Sequence, residues 1–119
     1  MGVINTVMIV DDSKVARMMT KNAVKSLLLD AEIIEADSGE EALKLMESVS
    51  PDAILMDINM HGISGLEAAE MILSARPDQK IAVCSANIQP AMQNKVERLG
   101  IQFVSKPIQL PILSDFLKS

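Results

Sequence analysis

Tryptophan and tyrosine are missing from this chain and phenylalanine occurs only twice, so intrinsic fluorescence is a poor reporter of its state. A single cysteine, Cys84, leaves no partner for a disulfide and no cysteine cluster for a metal. It lies in the apolar stretch IAVC and reads as a small buried hydrophobe. One histidine, His61, cannot form the histidine pair that zinc sites favour. No apolar run approaches the roughly 18 residues of a membrane span, and no basic segment precedes an apolar one as in a secretory leader. A membrane is therefore not expected as a partner, and the cytoplasm is the expected compartment. A net charge of −5 supplies no basic stripe for a phosphate backbone, which sets direct nucleic-acid binding aside. The opening MGVINT formally fits a myristoylation pattern, but so short a match arises easily by chance and Thr6 leads into a strand.

What the chain does have is apolar content, 49% of 119 residues, enough for one domain spanning 1–119 with a buried core. Its hydrophobic period switches repeatedly between short solid runs and helical spacing, which predicts about five strand-then-helix units and a parallel sheet. Strands are expected near Thr6 to Val10, Glu32 to Ala36, Ala53 to Met56, Lys80 to Cys84 and Gln102 to Ser105. The first helix, from about Lys14 to Leu29, is capped by Ser13 and turns Val15, Met18, Met19, Ala23 and Leu27 inward. The others run from about Glu40 to Val49, Leu66 to Ala75, Pro90 to Gly100 and Leu110 to Leu117, the fourth opened by proline and closed by glycine. The nine methionines are read mainly as core filler.

Three apolar runs end in charge: VMIV in Asp11 and Asp12, AILM in Asp57, and FVS in Lys106. At the carboxyl edge of a parallel sheet these residues converge where such folds place ligands. Carboxylates about 4 Å apart repel by roughly 1 kcal/mol in water and about 4 at an effective dielectric near 20, so the cluster asks for a cation. Hard oxygen donors point to magnesium, or manganese, over zinc. Such an ion keeps positions for phosphate oxygens, and Lys106, the Ser85 hydroxyl and the amides of Asn59 and Ala86 would meet the rest of a phosphoryl group. Asp57, alone at its strand end and ionised without a base, is the natural nucleophile, while Asp11 and Asp12 share the cation. Singly, an aspartate pair is often a turn and helix cap, and a lysine before proline a surface residue. His61 is read as an exposed loop residue rather than a base or phosphocarrier, and Phe103, on spacing alone, as core.

The segments VMIVDDS, ILMDINMHGISGLE, CSAN and FVSKPI, in this order and spacing, make the whole chain resemble the receiver domain of two-component response regulators, in its stand-alone chemotaxis CheY-like form. The resemblance implies a doubly wound, flavodoxin-like α/β fold with a five-stranded parallel sheet of order 2-1-3-4-5 flanked by five helices. It implies that Asp57 accepts a phosphoryl group from a sensor histidine kinase or phosphotransfer protein. The metal would be held by Asp11, Asp12, Asp57 and the main-chain carbonyl of Asn59. Lys106 would pair with the phosphoryl oxygens. Ser85 and Phe103 would act as switch residues, reshaping the surface of the fourth helix, fifth strand and fifth helix for a downstream protein or a phosphatase. The chain would be a monomer or a phosphorylation-linked dimer that catalyses only its own phosphorylation and dephosphorylation. Departures from the family pattern are His61 for a common proline, Ile108 for a frequent phenylalanine, one residue fewer between Gly100 and Phe103, and amides, Asn59 and Asn87, flanking the phosphoryl position.

Competing readings fit less well. A haloacid-dehalogenase-type phosphatase needs a second aspartate two residues after the nucleophile, where this chain has Asn59. A flavin carrier on the same sheet wants a Ser/Thr/Gly-rich phosphate loop in place of Asp11 and Asp12. A docking module that is never phosphorylated has no use for the charged constellation.

Overall fold

Burial explains why the AILM run carries no polar residue before Asp57. In the computed structural model, which describes residues 4–118, strand β3 (Ala53–Asp57) is buried at all five positions, between strands β1 (Thr6–Val10) and β4 (Lys80–Ser85). Strands β2 (Glu32–Ala36) and β5 (Gln102–Ser105) form the edges, and each exposes two residues, Glu32 and Glu35 in the first and Gln102 and Ser105 in the second. All pairings are parallel and the order is β2-β1-β3-β4-β5, as the resemblance implies. Gly2 of the myristoylation-like opening lies outside the described residues.

Alternation along the strands divides the core in two. Met8, Val10, Ile54, Met56, Ile81 and Val83 face helices α2 (Gly39–Leu45), α3 (Gly65–Ala75) and α4 (Pro90–Leu99). Val7, Ile9, Leu55, Ala82, Cys84 and Val104 face helices α1 (Lys14–Leu27) and α5 (Leu110–Lys118), where Leu113, Phe116 and Leu117 close the layer. Serines at 13, 38 and 64 cap the first three helices by accepting from the amides of Ala16, Glu41 and Glu67. Gly100, with φ of 72°, ends α4 as expected.

Two expectations about the helices need correcting. The inward stripe of α1 is not the large apolar one: Val15, Met18 and Met19 are 64, 52 and 63% exposed, whereas Thr20 and Val24 are buried with Ala23 and Leu27 half-buried. The small and β-branched face lies against the sheet, and the largely buried Arg17 takes a place that hydrophobicity would give to Met18. Met71 is exposed too, so the methionines do not all fill core gaps. Helix α2 stops at Leu45 instead of continuing to Val49: beyond it the chain tightens into turns, with the Glu47 and Ser48 amides donating to the Lys44 and Leu45 carbonyls (3.1 and 3.0 Å), and Arg76 satisfies the free carbonyls of Met46 and Val49 (2.6 and 3.1 Å).

Candidate functional site

Register brings the charges together. Val10 pairs with Met56 and Asp57 with Cys84, so Asp11 and Asp12, just past β1, stand beside Asp57 at the end of β3. Ser85 pairs with Ser105, which puts Lys106 one residue further out on the same edge.

Asp11 is buried and gripped at both carboxylate oxygens: the Ser13 amide donates to Oδ1 at 2.9 Å and Lys106 Nζ to Oδ2 at 2.8 Å. The same ammonium lies 3.3 Å from Asp57 Oδ1. Asp12 is more exposed and accepts at Oδ2 from the His61 amide at 3.2 Å, with the His61 Nε2 3.8 Å from that oxygen. The His61 side chain is otherwise in solvent, as expected of a loop residue. One oxygen from each of Asp11, Asp12 and Asp57 falls within 4.8 Å of the others. Three carboxylates against one ammonium leave an excess of two negative charges, and the all-oxygen donor set fits a hard divalent cation.

Electrostatics tell the same story. Burial pushes the Asp57 carboxyl above its ordinary range, Lys106 pulls it back, and the charges of Asp11 and Asp12 push it up again. For Lys106, burial alone would favour the neutral amine, but the hydrogen bond to Asp11 and the charges of Asp57 and Asp11 outweigh it and hold the ammonium above its usual value. Beneath them the Cys84 thiol is pushed up to about 12, chiefly by burial, and stays neutral.

A second group of polar side chains adjoins the first. The buried Ser85 hydroxyl donates to the Asn87 carbonyl at 2.9 Å and accepts from the Asn87 amide at 3.2 Å and from Asn59 Nδ2 at 3.3 Å. Ala86 is exposed beside Lys106, where both line an apolar groove of about 350 Å³ with Met19, Ala23 and Ile108. Phe103 is apart from the charges, half-buried against the α2–α4 side of the core. Sequence reasoning missed two residues that support the site. Arg17 Nη1 donates to the Asp11 carbonyl at 2.6 Å. Glu40 Oε2 accepts from the Ile63 amide at 3.2 Å, and its carboxylate lies where a Cβ on Gly62 (φ 78°) would sit, which pins the loop that carries His61.

A family model described as the response regulator receiver domain matches residues 7–118. Over 104 residues the chain is 39% identical to the chemotaxis protein CheY of Listeria monocytogenes, covering 86% of each. It is 36% identical to CheY of Thermotoga maritima over 104 residues, 87% of this chain and 86% of that protein. A crystal structure of a CheY-like receiver domain protein from Methanospirillum hungatei superposes with a TM-score of 0.87 over 97% of this chain and 91% of that one, a likeness of fold at 22% identity.

Proposed function

The chain belongs to the response regulator receiver family of two-component signalling, and from that premise we propose that Asp57 is its phosphoacceptor. The Asp57 carboxylate attacks the phosphorus of a phosphohistidine on a sensor kinase or phosphotransfer protein; the P–N bond breaks, an acyl phosphate forms, and the imidazole leaves. Asp11, Asp12, Asp57 and the main-chain carbonyl of Asn59 would hold magnesium, or manganese, which when bound offsets charge on the phosphoryl oxygens. Lys106 Nζ, between Asp11 and Asp57, turns to a phosphoryl oxygen once Asp57 carries the phosphoryl group.

Ser85 gives up its contacts with Asn87 and Asn59 to meet another phosphoryl oxygen, while the Ala86 amide covers a third. Phe103 then repacks, and the surface of α4, β5 and α5 changes for a downstream protein or a phosphatase. Asn59 and Asn87 flank the phosphoryl group and set how water reaches it. The chain turns over no separate metabolite; it catalyses its own phosphorylation and slow dephosphorylation.

The observation that carries this reading is the single ammonium of Lys106 shared by two of three clustered carboxylates. Intact mass after incubation with acetyl phosphate tests it. One phosphoryl adduct is expected, requiring magnesium and absent from Asp57→Asn. Full labelling of that variant would move the nucleophile elsewhere, and no adduct under any condition would leave a docking module that is never phosphorylated.

A further inference from the structure

Helix α1 carries an arginine whose head is spent on the site's backbone rather than on solvent. Arg17 is largely buried, and its Nη1 donates to the main-chain carbonyl of Asp11 at 2.6 Å while its Nε donates to Glu35 Oε1 at 3.2 Å. Glu35 is braced in turn by Lys21 at 3.7 Å. The Asp11 amide is already tied to the Ala36 carbonyl at 3.1 Å. Both backbone ends of Asp11 are therefore fixed from β2 and α1 together.

A peptide unit is planar, so fixing the Asp11 carbonyl also fixes the plane from which Asp12 departs. Asp12 needs that help most: its carboxylate is the exposed member of the cluster, and among the described hydrogen bonds its only one comes from the His61 amide on a loop. We propose that Arg17, anchored by Glu35, is a positioning residue that sets the Asp11–Asp12 peptide for divalent-cation binding. The inference rests on the cation site described above and deepens it.

Charge and position predict opposite signs. Removing a positive charge near three carboxylates strengthens cation binding by simple Coulomb attraction, whereas loosening the peptide weakens it. Groups that orient a metal's ligands typically matter by about 10–100-fold in affinity, and contact through the backbone places Arg17 near the lower end. The test is free Mn²⁺ counted by electron paramagnetic resonance during titration of the full chain without phosphodonor.

Arg17→Gln is expected to weaken Mn²⁺ binding about tenfold. Arg17→Lys keeps the charge but replaces donors on two separated nitrogens, Nε to Glu35 and Nη1 to Asp11, with a single ammonium, and is expected to weaken binding as well. Lys21→Gln removes the same charge from the same Glu35 without touching Asp11, and is expected to bind as the wild type or slightly tighter. Labelling by acetyl phosphate at saturating Mn²⁺ is expected to survive in both Arg17 variants, shifting the half-saturating cation concentration rather than the final rate. Arg17→Gln with unchanged or tighter binding would overturn the proposal; if that variant does not fold, unchanged binding by Arg17→Lys does so. Failure of the wild type to bind Mn²⁺ would instead overturn the cation site itself, and this proposal with it.

Discussion

A carboxylate held above its ordinary pKa in the folded state destabilises that state wherever it is ionised. Asp57 is such a group, through burial first and its acidic neighbours after. The folded form binds the proton more tightly, so the penalty is absent below the ordinary carboxylate range and grows as pH rises through and above it. Asp57→Asn is therefore expected to stabilise the cation-free chain at pH 7 by about 1 kcal/mol, the scale of one close carboxylate interaction. Thermal melts at pH 7 and pH 3.5 check this, and an equal gain at both would refute it. Lys106 acts in the opposite sense, since its removal leaves Asp11 and Asp57 facing each other uncompensated. Lys106→Ala is expected to take up phosphate yet fail to change partner affinity, as read by calorimetric titration before and after labelling. These charged residues were legible in the sequence because ionised groups at the ends of apolar strands need a reason to be there. Arg17 was not, because its partner is a backbone carbonyl and such an acceptor leaves no trace in residue type.

At the scale of elements, strands read more clearly than helices. The ends of β1, β2 and β5 fall where the apolar runs predict, and β3 and β4 each extend one residue further, to Asp57 and Ser85. Apolar spacing alone turns Met18 and Met19 inward on α1, but close packing on the sheet favours Thr20, Val24 and Ala23 over methionine. The start of α3 is held more tightly than its sequence suggests. A Cβ on Gly65 would collide with the Asp57 carbonyl oxygen, and the Gly65 amide donates to the Ile58 carbonyl at 3.0 Å. Gly65→Ala must push the backbone of α3 away from the end of β3. It is expected to cost about 1–3 kcal/mol, as overpacking does, and to weaken cation binding alongside. A loss of stability with unaltered Mn²⁺ affinity would show that the helix yields without moving Asp57.

For the whole molecule, the order β2-β1-β3-β4-β5 puts β1 and β3 side by side although β2 separates them in sequence, and the cluster sits at that reversal. Alternation of strand and helical periods indicated a parallel sheet, while the order followed from the family resemblance; periodicity alone does not say which strands neighbour. Because the three carboxylates are assembled only by the folded sheet, a bound divalent cation stabilises the fold as a whole. At a concentration one hundred times its dissociation constant the gain is about 2.7 kcal/mol. Adding magnesium is expected to raise the melting temperature and chelation to reverse it, with the effect lost in Asp11→Asn.

The three contacts on the Ser85 hydroxyl have a bearing on background signalling. Each such bond contributes about 1 kcal/mol net, so surrendering two or three of them unaided makes the alternative arrangement roughly thirtyfold or more the rarer. Under the switch proposed above, a resting population built this way rejects noise: an anion moves it only by as much as it prefers the alternative arrangement, and one that touches the site weakly does not meet that threshold.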